Sequence, residues 1–130
     1  MIKDWDVNLL GVEATHKSGL RIKRQPDKYN EKPEWVVVFQ PHSDETDNPL
    51  ISEGIACFNH VNAIKMLGFY LKKHSLQLED IVLITNEYAK VKYNRCIDTE
   101  QLRSYLDGRE FFPVDVISLI RAAIYFYGKK

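Results

Sequence analysis

The chain has 130 residues, with 18 basic and 18 acidic side chains, so no global field draws it to nucleic acid or to an anionic membrane. An apolar share of 45% and an aromatic share of 12% belong to a folded protein with a packed core and exclude a disordered or low-complexity chain. One domain over residues 1–130 fits that length, and two cysteines, Cys57 and Cys96, make no disulfide framework.

MIKDWDVNLL carries charges at positions 3, 4 and 6, and no apolar run reaches signal-peptide or membrane-spanning length, so a cytoplasmic protein with free thiols and no membrane contact is expected. Residues 6–25 read as a β-hairpin. Val7, Leu9, Val12 and Ala14 lie on the outgoing arm, Lys17-Ser18-Gly19 at the turn, and Leu20 and Ile22 on the return. Trp35-Val36-Val37-Val38-Phe39 is the strongest strand signal, and five consecutive β-formers predict a central strand covered on both faces.

Next, Asn59 is placed to cap a helix reaching Lys73, with Val61, Ile64, Leu67 and Leu71 facing inward and Gly68 at a close backbone contact. Residues 80–85 and 88–96, on either side of Asn86-Glu87, read as a second hairpin. Asp98 and Gln101 form a capping box for a short helix that Gly108 ends. Pro113 then opens a last helix, Val114 to Tyr127, stopped by Gly128. The order ββ-β-α-ββ-α-α predicts an α+β fold, with an antiparallel sheet of about five strands and helices packed on one face.

Three groups of residues invite a functional reading. The stretch PHSDETDNP holds His42, Asp44, Glu45 and Asp47, oxygen and nitrogen donors that a hard cation uses. It lacks the alternating acidic spacing, turn glycine and distal glutamate of a calcium loop, and reads as a solvated connector. Cys57 and His60 have a Cys-x-x-His separation without the second pair a structural zinc needs. No phosphate-loop, nucleophile-elbow, dinucleotide or zinc-protease motif is present, so no catalytic residue, metal or cofactor is expected.

The second group is basic. Lys17, Arg21, Lys23, Arg24 and Lys28 crowd the first hairpin, and Lys90, Lys92 and Arg95 the second, so one shared basic sheet face is an alternative site for nucleic acid or an acidic protein. Strand lysines that discourage edge-to-edge aggregation are the plainer explanation.

The third is the last helix, in which Asp115, Ser118 and Arg121 form one narrow polar strip on an otherwise apolar cylinder. So much nonpolar surface in a small protein, ending in Tyr125-Phe126-Tyr127, has the composition of a contact surface. The expectation is a non-enzymatic protein-binding module, a regulator or inhibitor docking on a larger partner or on itself. Arg121, Tyr125, Phe126 and Tyr127 are its first contact residues.

For the acidic connector, Asp44→Ala and Asp47→Ala should each shift stability by less than about 0.5 kcal/mol, as at solvated positions. A melting temperature that drops on adding a chelator would contradict this.

Overall fold

In the computed structural model, which describes residues 2–26, 33–39, 48–94 and 96–128, the early alternating segments form an antiparallel meander. A single 3-10 turn at Ile2–Asp4 leads into β1 (Trp5–Asn8), β2 (Glu13–His16), β3 (Arg21–Pro26) and β4 (Pro33–Phe39), hydrogen-bonded in the order β1-β2-β3-β4. Four helices follow: α1 (Asn48–Lys73), α2 (Leu78–Lys92), α3 (Thr99–Leu106) and α4 (Val114–Tyr127). The class is α+β as expected, with four strands among the described residues rather than about five.

The outgoing arm of the first hairpin is two strands. Asn8 Oδ1 accepts from the Gly11 backbone N–H at 3.0 Å, Val12 takes a positive φ of 52°, and the chain turns back there with Leu10 wholly outside. The apolar alternation slips there too, from Leu9 to Val12 across Gly11, and the Asn8 side-chain turn stands at that slip.

The supposed second hairpin is helix α2. Ile81, Val82, Thr85 and Ala89 recur at helical spacing and are buried, whereas Val91 and Tyr93, which a strand would set on one face with Ala89, are 84% and 59% exposed. Asp80 accepts from the Gln77 backbone N–H at 2.9 Å and fixes the first turn. Asn86, read as a turn residue, clasps the Ile97 backbone from mid-helix: its Nδ2 donates to the carbonyl at 2.8 Å and its Oδ1 accepts from the N–H at 2.6 Å.

Helix α1 begins at Asn48, well before the expected cap at Asn59. The later boundaries match their local signals. Asp98 accepts from the Gln101 backbone N–H at 2.6 Å at the start of α3, Gly108 takes a φ of 77° after its end, and α4 spans Val114 to Tyr127.

The chain divides into two compact units, residues 1–61 and 62–130, with the boundary inside α1. In the first, the early turns of α1 pack on one face of the sheet. Trp5, Ala14, Leu20, Ile22 and Cys57 form its core, with Leu50, Ile51 and Ile55 against them. Strand β4 is an edge strand, not a central one, and Val37, Val38 and Phe39 are 40–54% exposed. In the second unit, Ala63 and Leu67 of α1 join Ile81, Leu102, Phe112, Val116, Ile120 and Ile124 in a separate core.

The glycine at a close approach is Gly54, where an added Cβ would meet Trp5 Cη2 at 2.5 Å and Ile22 Cδ1 at 2.8 Å; Gly68 faces open space. Accordingly, Gly54→Ala should cost about 1–3 kcal/mol by overpacking. Gly68→Ala should instead stabilise by about 0.5–1 kcal/mol, because alanine orders more readily in a helix interior. Urea midpoints that move the same way in both variants would contradict this assignment of the close contact.

Candidate interaction surface

Helix α4 divides lengthwise. The side formed by Val116, Ile117, Ile120, Ala123 and Ile124 is buried, and Val114, Asp115, Ser118, Arg121 and Tyr125 lie exposed along the other. The described residues therefore do not wrap that side of it. At the C-terminal end three successive aromatics remain accessible: Tyr125 at 57%, Phe126 at 45% and Tyr127 at 43%.

Two of these rings, Phe126 and Tyr125, belong to a ladder that crosses from α2 to α4, whereas Tyr127 meets the His74 ring edge-on at 6.4 Å. Tyr93 meets Tyr88 edge-on with centroids 6.1 Å apart, Tyr88 stacks on Phe126 at 5.4 Å and 22°, and Phe126 meets Tyr125 edge-on at 5.5 Å. The Lys92 ammonium lies 5.1 Å from the Phe126 centroid and 5.7 Å from that of Tyr88. Ring faces are electron-rich, so the cation is held there while its charge stays available at the surface. The structure thus joins two residues assigned from sequence to different sites, Lys92 and Phe126. It adds Tyr88 and Tyr93, which the strand reading of α2 had hidden.

Grooves flank the end of α4. One of about 270 Å³ is lined by Ile84, Tyr88, Val91, Lys92, Phe126 and Tyr127. Another, of about 450 Å³, lies between Tyr70, Lys73 and His74 and the α4 residues Arg121 and Tyr125. Large rings, apolar floors and rim cations are the features through which proteins bind one another, since a half-buried aromatic gives much contact area for little conformational entropy.

The basic hairpin residues are arranged less favourably. Lys17 Nζ pairs with Asp4 Oδ1 at 3.3 Å, Lys23 stands opposite Glu13 in the β2–β3 register, and the Arg24 guanidinium lies over the Phe58 ring at 5.7 Å, on the helix side of the sheet. Arg21 and Lys23 alternate with the buried Ile22 and point to the other side. Lys90 and Lys92 stand on a helix, so the two segments do not make one basic sheet face. Lys28, Arg95 and the acidic connector with His42, Asp44, Glu45 and Asp47 lie outside the described residues.

One grouping with metal-ligand chemistry was invisible in sequence because its members are far apart: donor atoms of Asp4, His16 and Glu53 lie within 4.8 Å of one another. Each has a protein partner. Asp4 pairs with Lys17, His16 Nδ1 lies 2.8 Å from Ser18 Oγ, and Glu53 Oε1 accepts from the Trp5 indole at 3.0 Å. The first of those bonds ties the opening turn to the turn after β2, and the last ties β1 to α1.

Cys57 and His60 are both buried on α1. Burial, then the nearby Glu53 charge, pushes the Cys57 thiol up to about 11, which leaves it protonated at neutral pH and not a nucleophile. Cys96 is likewise a free thiol. Among the described residues no helix is long and apolar enough to cross a membrane. No family model matches the chain, no curated protein matches it in sequence, and no solved structure matches its fold.

Burial lowers the His60 pKa from its ordinary 6.5, so below that pH the unfolded chain takes up a proton that the folded chain resists. Stability present above pH 6.5 is therefore lost as the pH falls. The urea midpoint should be lower at about pH 5.5 than at about pH 7.5, and His60→Leu should flatten that difference. An equal drop in the variant would assign the pH dependence elsewhere.

Proposed function

We propose that this chain is a non-enzymatic protein-binding module, a small regulator or inhibitor that works by docking, and that the exposed surface of α4 is its contact element. The observation that carries the reading is the exposed ladder Tyr93-Tyr88-Phe126-Tyr125, with Lys92 over its middle and grooves along α4 on either side. Fourteen residues is an ordinary helix length, and the buried side of α4 already anchors it in its core. Solubility does not call for the adjacent aromatics Tyr125 and Phe126 to be left accessible, and a contiguous apolar patch rimmed by polar groups is a common mark of an interaction site. Arg121, Tyr125, Phe126 and Tyr127 are the contact residues on α4, and Lys92 is their cationic neighbour on α2. The free thiols of Cys57 and Cys96 accord with work in the reducing cytoplasm.

The test compares affinity capture from the native host by the wild-type chain and by Tyr125→Glu and Tyr127→Glu, with sedimentation of each. Both positions are exposed enough that thermal stability should change by less than about 1 kcal/mol. The expected result is an association, with another protein or with itself, that the wild type makes and both variants lose while their helical signal is unchanged. A wild type that associates with nothing, or variants that unfold, would overturn the reading.

A further inference from the structure

The exposed side of α4 is complementary to itself, and the structure points to a second copy of this chain as its occupant, packed antiparallel with Ser118 next to the two-fold axis. This inference rests on the reading of α4 as a docking helix and names the partner. A two-fold contact requires that the same patch satisfy itself: residue i meets j, and j meets i. Asp115 and Arg121 lie three residues on either side of Ser118, and Val114 and Ala122 four residues on either side. When two such helices run in opposite directions about Ser118, each Asp115 comes level with an Arg121 of the other copy, and each Val114 with an Ala122.

The result has one carboxylate and one guanidinium at each end, apolar against apolar beside them, and the smallest side chains at the centre. Ser118 and Ala122 let the helix axes approach closely, and an arginine side chain is long enough to cross such a narrow seam to a carboxylate. In a parallel arrangement every charge would instead stand level with its own copy. The polar strip, spaced by three, is therefore a register device as well as a solvated face.

The surroundings suit this occupant. Val114, Asp115, Ser118, Arg121 and Tyr125 are all exposed, and a groove of about 310 Å³ runs beside Asp115, Ser118 and Ala122 with Tyr93 on its wall. The chain is neutral overall, so two copies meet without net repulsion. A helix of 14 residues is about 21 Å long and about 10 Å across, so its face of about 200 Å² is small against a standard interface of roughly 800 Å² per partner, and the dimer is a weak, concentration-dependent one in the micromolar range or above.

The test is sedimentation velocity on the full chain from the low micromolar to the millimolar range. Wild type should pass reversibly from monomer to dimer, and Ser118→Arg should remain a monomer with an unchanged circular dichroism spectrum. Asp115→Arg and Arg121→Asp should each weaken association about tenfold or more, because like charges then come level. An equimolar mixture of the two variants should associate again, since one copy then carries a cation at both positions, the other a carboxylate at both, and every level pair is of opposite sign. Restoration on mixing is a result that mere damage to folding does not produce. A wild type that stays monomeric throughout, a dimer indifferent to Ser118→Arg, or single variants that do not rescue one another would overturn the self-pairing. If the wild type stays monomeric yet Tyr125→Glu loses a different protein in the capture experiment, self-pairing falls and the docking reading stands.

Discussion

The packing of α4 against α2 is the contact on which the rest of the second unit depends. Val116, Ile120 and Ile124 share a core with Ile81 and Val82 of α2, and with Ala63 and Leu67 from the later turns of α1. Full burial of a branched aliphatic side chain contributes about 1.5–3 kcal/mol, so a few such residues match the net stability of an ordinary small domain. That stripe also fixes the rotation of α4 about its axis. Once Ile120 points inward, Ser118 points outward, because about 200° of helical turn separates them. The exposed face and its polar strip follow from the core, and the same constraint leaves Tyr125 in solvent.

The first unit solves its burial problem differently. The sheet is covered on one face by early turns of α1, with Gly54 allowing the helix to sit against Trp5 and Ile22. Strand β4 carries five uncharged β-formers yet lies at the edge. The other edge strand, β1, is short and carries Asp6, a common device against strand addition. Composition alone does not distinguish a central strand from an edge one, because both can be rich in valine and aromatic residues. The distinction is made by the partner strand, which is a tertiary fact.

The same division explains which elements were legible in advance. Helices α3 and α4 were readable because their ends carry residues with a local mechanism: Asp98 and Gln101 at one start, Gly108 at one stop, Pro113 before the other. Helix α2 was not, because two periodicities compete in it. Tyr88, Lys90, Lys92 and Asn94 alternate with Ala89, Val91 and Tyr93 as a strand would, while Ile81, Val82, Thr85 and Ala89 repeat as a helix does, and burial decided for the second. That misreading also placed Lys92 on a basic sheet face, when its partner is the aromatic tail of α4. The tail itself was visible in the sequence. The neighbours that make it a surface, Tyr88 and Tyr93, were not, since only the fold brings them beside Phe126.

The central claim is that one whole side of α4 lies bare on the isolated chain and is available for contact. Hydroxyl-radical footprinting of dilute protein, read residue by residue, measures this directly. The account predicts heavy labelling of Tyr125 beside near-complete protection of Phe112 and Tyr105, which are buried in the same unit. Tyr125 as resistant as Phe112 would contradict it, because the chain would then be covering that side of α4 on its own.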